Sequence, residues 1–211
     1  MFDKKQVEKA VATALEDKGK RKFAQSIDFA INFKDVDFKK AENRISLDII
    51  LPYAPKKTLI AVFADGQLST DVKNAQPDAV FSGADINAFA TDKKRQRELL
   101  KYAILAAPQL MVQIGKSLGQ VLGARGKLPK PILPGANLKD LFDRTRRTIT
   151  LKTKGKYLPS LHCIVGSESQ PNEQIVENVV AVLDAVEKKT GEASVKSVFV
   201  KMTMGKPVKI G

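Results

Sequence analysis

The spacing of apolar residues changes twice along this chain, and that change restricts the architecture more than any other feature. Near the start, Ile27, Phe29, Ile31 and Phe33 alternate with Asp28, Ala30 and Asn32, and Ile45, Leu47 and Ile49 alternate with Ser46 and Asp48. Successive side chains of a strand point to opposite faces, so a period of two predicts strands with one buried face. These two runs are expected to be neighbours in an antiparallel sheet. The same style returns late, in Leu161 to Val165 and in a last strand holding Val195, Val198 and Val200. Between the two ends the pattern differs. Leu59 to Ala64 is apolar throughout, as expected for a strand covered on both faces, and Ala79–Phe81 and Tyr102–Ala106 are further short apolar runs.

Helical spacing fills the gaps. Val7, Ala10, Val11, Ala14 and Leu15 recur at helical intervals, with Asp3 and Gln6 placed as a capping box and Gly19 as the stop. Helices are expected over Leu68–Asn74, around Asp92–Lys101, and from Pro108, which suits a first turn, to about Leu122. Pro171 opens the clearest helix. Its apolar face is Ile175, Val176, Val179, Val180, Leu183 and Val186, and Gly191 follows as its cap. Strands alternating with helices in the middle predict a small parallel, doubly wound, Rossmann-like domain. The simplest arrangement is an α/β protein of two domains. Residues 1–57 and 152–211 form a discontinuous α/β sandwich whose antiparallel-type sheet draws on both chain ends, and residues 58–151 form the inserted domain. Two crossings, near Tyr53–Lys57 and Lys152–Tyr157, join them. Pro52, Pro55 and Gly155 in these linkers suggest a hinge.

Charge indicates the partner. The 211 residues carry 36 Lys plus Arg against 23 Asp plus Glu, a net charge of +13. Both proposed domains share the excess, the footprint of a protein that meets a polyanion. The run Gly115 to Pro131 (GKSLGQVLGARGKLPKP) concentrates it. Gly115, Gly119, Gly123 and Gly126 are interleaved with Lys116, Arg125, Lys127 and Lys130, and no catalytic group is among them. A helix with small residues followed by a basic loop is the plainer reading of Gly115 and Gly119. Arg144, Arg146 and Arg147 form another basic cluster, read either as phosphate contacts or as a wetted surface.

Several chemistries are excluded. Gly115-Lys116-Ser117 lacks the earlier glycine of a phosphate loop, because position 110 is Leu110. His162 and Cys163 are adjacent, so in a strand they face opposite ways and form neither a nucleophile pair nor a two-ligand metal site. Zinc needs about four ligands and the chain offers too few. Asp35 and Asp37 read as a solvated pair after a strand. No metal or cofactor is expected. The single cysteine fits a reducing compartment, no apolar signal core opens the chain, and no apolar run spans a bilayer.

Two short stretches suit RNA. In Lys22-Phe23-Ala24-Gln25-Ser26 an aromatic stands beside a cation, so Phe23 can stack on a base or ribose while Lys22 holds phosphate. Ordinary core at the head of a strand is the other reading of Phe23. In Thr203-Met204-Gly205, glycine permits close approach, the threonine hydroxyl can bond a ribose, and the methionine can pack on a sugar, with a place in the core as the other reading of Met204.

Together with Leu118-Gly-x-x-Leu-Gly-x-Arg-Gly-Lys-Leu-Pro129, and with His162 and Val165-Gly166, these stretches make the chain resemble the large-subunit ribosomal protein L-one family, most closely its archaeal branch. The resemblance covers nearly the whole chain. It implies a two-domain α/β fold with a nested domain, no enzymatic activity, and binding to large-subunit ribosomal RNA at the mobile stalk beside the tRNA exit site. It further implies assistance in release of deacylated tRNA, repression through the protein's own messenger RNA, a cytoplasmic location on the ribosome, no membrane partner, and a monomer when free of the ribosome. By motif match the RNA contact falls on Lys22, Phe23, Ser26, His162, Thr203, Met204 and Gly205. A secondary RNA or tRNA contact falls on Gly123, Arg125, Gly126 and Lys127. Two positions depart from the family pattern: Ala124 stands where proline is usual, and Lys206 precedes Pro207. The reading kept beside this one is a nucleotide-dependent enzyme built on the inserted domain.

Overall fold

The computed structural model describes residues 3–34, 36, 38, 40, 43–133, 135, 137–153, 158–191 and 194–211. The elements in order are α1 (Lys4–Ala14), β1 (Ser26–Phe33), β2 (Ser46–Ile50), β3 (Leu59–Phe63), α2 (Gly66–Asn74), β4 (Ala79–Phe81), α3 (Asp85–Thr91), α4 (Lys93–Leu99) and β5 (Tyr102–Ala106). They continue with α5 (Pro108–Ala124), β6 (Lys130–Pro131), α6 (Leu138–Arg147), β7 (Thr148–Lys152), β8 (Ser160–Ser167), α7 (Asn172–Thr190), β9 (Val195–Met202) and β10 (Val208–Ile210). The chain divides into two compact units, Met1–Lys56 with Arg147–Gly211 and Lys57–Arg146. No helix among the described residues is long and apolar enough to cross a membrane.

In the first unit β1 takes a neighbour on each edge, and both come from the far end of the chain. It pairs antiparallel with β8 and with β9, and β10 adds to β9, giving the order β10-β9-β1-β8. The alternation seen in the sequence becomes a two-faced sheet. Ile27, Phe29, Ile31 and Phe33 are buried, and Asp28, Ala30 and Asn32 lie on the other side. The buried face packs with α1 and α7, through Val7, Val11, Val179, Val182 and Val186 among others. Each fully buried aliphatic or aromatic side chain here contributes about 1.5–3 kcal/mol. The Asp3–Gln6 capping box forms as the sequence predicts, but α1 ends at Ala14 rather than continuing to Gly19. Gly19 follows a further turn on, with φ +79°.

The expected β1–β2 pairing does not occur. Both edges of β1 are filled by β8 and β9, so β2 pairs instead with β7, antiparallel from Ser46↔Lys152 to Ile50↔Thr148. This moves the second crossing earlier than residue 152: β7, read from the sequence as part of the inserted stretch, belongs to the first unit. Asp35, Asp37, Gly155 and Tyr157 lie outside the described residues.

The second unit has a four-stranded parallel sheet in the order β4-β3-β5-β6. Its central strand β3 is buried on both faces. Ala61 and Phe63 join Ile86, Phe89, Leu99, Ile114 and Leu118 from α3, α4 and α5 on one side. Ile60 and Val62 join Val72 from α2 and Phe142 from α6 on the other. This is the doubly wound arrangement that an uninterrupted apolar strand demands. Phe63, Phe81 and Phe89 meet tilted or edge-on, with centroids 4.8–6.0 Å apart. The sequence reading had no α3, α6, β6 or β10.

One buried polar residue ties the first unit to its crossing. Asn178, on α7, is fully buried. Its Oδ1 accepts from Tyr53 N–H at 3.0 Å, and its Nδ2 donates to the carbonyls of Tyr53 at 3.1 Å and Val165 at 2.8 Å. Gln170 adds a second tie, donating to the Ala54 carbonyl at 2.6 Å and accepting from Ser167 N–H at 3.0 Å. Tyr53 and Ala54, in the crossing where a hinge was expected, are thus fastened to α7 and the end of β8.

Replacing Asn178 with alanine leaves the buried Val165 carbonyl, and the part-buried N–H and carbonyl of Tyr53, without their partner. Chemical denaturation is expected to show a loss of about 3 kcal/mol. Cys163 gives a second check. Burial, and then the Asp28 carboxylate, push its thiol from 9.0 up to about 12. Iodoacetamide at pH 8 is expected to modify the folded protein roughly a thousandfold more slowly than the unfolded chain, because only the thiolate reacts.

Candidate nucleic-acid interface

Where β1 begins and β9 ends, the two ends of the polypeptide join. Thr203 N–H donates to the Ser26 carbonyl at 3.0 Å, and the Thr203 hydroxyl donates to the same oxygen at 3.2 Å. One residue further, Met204 N–H donates to Oε1 of Gln25 at 3.1 Å. Gly205 N–H closes a turn onto the Met202 carbonyl at 2.9 Å. A side chain at Gly205 meets Cβ of Met202 at 3.2 Å and its backbone N at 3.4 Å, so glycine is what lets the turn fold this tightly. The outcome is exposed apolar surface on both sides of one junction. Phe23 is 52% exposed and Met204 60%. The core reading of Phe23 is therefore wrong. Its residue sits before β1 starts, on a segment whose buried member is Gln25.

Cations surround this junction. Lys18, Lys20, Arg21 and Lys22 follow α1, and all are exposed. Lys20, hydrogen-bonded to Asp17, holds that carboxyl below its ordinary range, with Lys206 and Arg21 adding to the effect. Lys206 therefore belongs to the same basic neighbourhood as the segment after α1, although 184 or more residues separate them in the chain.

The face of β1 that turns away from the helices continues the surface. Ser26, Asp28, Ala30 and Asn32 share it. Asp28 pairs with Lys201 on one side and Ile164 on the other, and Ala30 pairs with Phe199 and His162. All of these but Ser26, with Pro207, line a shallow groove. His162 is exposed, 3.3 Å from the Ser160 hydroxyl through Nε2, and Cys163 turns into the core, as their adjacency in a strand requires. His162 thus lies on the same face as Ser26 but two pleats along, roughly 13 Å away, and is not part of the Ser26–Thr203 junction. The sequence reading missed Phe199, Lys201 and Asp28 here. The signal was present: Ser197, Phe199 and Lys201 alternate with buried Val198, Val200 and Met202.

The glycine-rich motif lies in the other unit. Gly115, Gly119 and Gly123 are helical, because α5 runs to Ala124. Alanine at 124, unlike proline, keeps its N–H, so the helix continues through it. Gly126 then takes φ +65°. Its N–H bonds the Gly123 carbonyl at 3.0 Å, and Lys127 N–H bonds that of Leu122 at 2.9 Å. This paired pattern is a Schellman stop, which needs a left-handed residue at position 126. The Lys127 ammonium turns inward onto the Leu100 and Tyr102 carbonyls, whereas Lys116, Arg125 and Lys130 are exposed. Arg146 pairs at 3.7 Å with both Asp78 and Asp143. No group of three or more metal-ligating side chains occurs among the described residues.

Known proteins resemble this chain along its whole length. The Ribosomal protein L1p/L10e family matches residues 10–206. The large ribosomal subunit protein uL1 of Archaeoglobus fulgidus is 39% identical across 100% of this chain and 99% of its own. The uL1 proteins of Thermoplasma volcanium and Thermococcus kodakarensis are 37% and 38% identical, covering 100% and 99% of this chain and 98% of each relative. A match that spans both units and both crossings leaves one conclusion: this chain belongs to the Ribosomal protein L1p/L10e family.

Proposed function

We propose that this protein is a structural constituent of the large ribosomal subunit that binds ribosomal RNA through the junction of its chain ends. The observation that carries the reading is the Ser26–Thr203 and Gln25–Met204 bonding, which sets two exposed apolar side chains among exposed cations. Lys22, Lys206 and their neighbours supply phosphate contacts, which hold the RNA in register. Phe23 offers a ring for a splayed base or ribose, and Met204 a soft apolar surface. The Thr203 hydroxyl donates to the Ser26 carbonyl, so toward RNA it acts as an acceptor for a ribose hydroxyl. His162, Phe199 and Lys201 extend the surface along the open sheet face. Gly123, Arg125 and Gly126 form the secondary RNA or tRNA contact, with Lys127 contributing to the local fold.

In this reading the protein sits at the mobile stalk and assists release of deacylated tRNA. It also represses translation of its own messenger RNA, when that RNA presents the same shape to the same platform. The family is one of ribosomal proteins and not of enzymes, so the nucleotide-dependent alternative is set aside. Gly115-Lys116-Ser117, the segment that suggested it, is the middle of a helix.

Binding to a large-subunit stalk RNA fragment is expected to fall about 10–100-fold in Phe23→Ala, the range for loss of one base–aromatic stack. Met204→Ala is expected to lose less, and neither change to alter thermal unfolding, because both side chains are exposed. Normal binding by folded Phe23→Ala and Met204→Ala proteins overturns the assignment. Lys22→Ala is expected to reduce the slope of log affinity against log salt by roughly 1. Cross-linking with RNA sequencing in cells separates ribosomal, messenger and transfer RNA targets, and recovery of ribosomal RNA alone removes the repressor role.

A further inference from the structure

We infer that Gln25, oriented by Glu168, is a positioning residue that sets Met204 in place on the RNA platform; this rests on the function proposed above. Gln25 is 2% exposed and Glu168 8%, in a neighbourhood that is otherwise basic and wet. The antiparallel ladder ends at Thr203. The next N–H, that of Met204, is taken by the Gln25 side chain and not by a strand. Gln25 Nε2 donates to Glu168 Oε2 at 3.3 Å, and Glu168 N–H donates back to the Gln25 carbonyl at 2.9 Å.

The chemistry of this pair fixes a direction. An ionised carboxylate accepts and never donates, so it compels the amide nitrogen of Gln25 to face it. The amide oxygen must then point the other way, toward Met204 N–H. With the amide reversed, two donors face each other at Met204 and two acceptors at Glu168. Glu168 therefore acts on Met204 through Gln25, without itself facing the ligand surface. A buried carboxylate beside a phosphate-binding surface is costly on its own. Its bond to the Gln25 amide accounts for its burial.

The test is a double-mutant cycle read by affinity for the stalk RNA fragment across a salt series. Gln25→Ala is expected to bind about tenfold more weakly, with the salt slope unchanged because no phosphate contact is lost. In a Met204→Ala background the same change is expected to cost less than threefold, since there is no longer a side chain to position. Glu168→Ala is expected to lose about tenfold, whereas Glu168→Gln, which keeps an oxygen for the Gln25 amide, binds within about twofold of the parent. An undiminished Gln25→Ala effect in the Met204→Ala background overturns the inference, as does parental affinity in Gln25→Ala. If Gln25→Ala does not fold, the Glu168→Ala and Glu168→Gln pair in the same two backgrounds decides it. Failure of the parent protein to bind the fragment instead sinks the function on which the inference rests.

Discussion

The structure depends on β1 being a central strand whose two partners are contributed by the last third of the chain. A strand with unpaired edges and one apolar face is not stable alone, because its N–H and carbonyl groups and its buried side chains need partners on both sides. Here β8 and β9 supply those partners, and α1 and α7 cover the apolar face. The first unit therefore cannot close until the whole intervening segment has been made and the ends have met. Contacts of such long sequence separation carry a loop-closure cost, although that cost grows only slowly with length. An inserted unit that folds on itself shortens the effective loop, since its own ends come out where β2 and β7 pair.

Much of this was legible in the residues, and what was missed has physical reasons. Period-two alternation marked β1, β8 and β9, and the uninterrupted apolar run marked β3, because burial on one or two faces writes itself directly into side-chain choice. Pairing partners are not written that way. Ile45, Leu47 and Ile49 show that β2 has a buried side but not which strand lies beside it, and nearness in sequence pointed wrongly to β1. The α6 helix escaped because its apolar face is short, Leu138, Leu141 and Phe142 only, and the arginines that follow drew the reading toward a charged surface. For the proposed interface, Lys22, Phe23 and Thr203 to Gly205 were picked out by residue types suited to RNA, and the structure brings the two stretches together. Phe199 and Lys201 were missed because the open face of a strand looks in sequence like any wetted face.

Polar groups in the first unit divide into two kinds with different tasks. Buried ones are fully engaged: Asn178 bonds Tyr53 and Val165, and Gln25 bonds Met204 and Glu168. Each would be destabilising if unpaired in a medium with little water, so their value lies in fixing one arrangement among several that an apolar core alone would tolerate. Among the exposed ones, Lys18, Arg21, Lys22 and Lys206 stand at the surface on long, adjustable side chains, while Lys20 pairs with Asp17. This contrast suits phosphate recognition. The cations keep the freedom to meet a backbone that is never quite regular, while the apolar pair Phe23 and Met204 is held on a scaffold anchored by Gln25 and the Ser26–Thr203 bonds.

Placing the platform at the seam between the chain ends has a thermodynamic consequence. A ligand that touches both Phe23 and Met204 recognises a surface that does not exist in the unfolded chain, where about 180 residues separate them. Its binding energy is then coupled wholly to closure of the seam, and stabilises the folded unit by RT ln(1 + [L]/Kd). A site built within a single hairpin lacks this property, since part of it persists when the rest of the domain opens. The first unit, whose ends must be brought together across an inserted segment, is the one that gains most from a polyanion laid across the join. The proposed RNA is in this sense a component of the fold as well as its target.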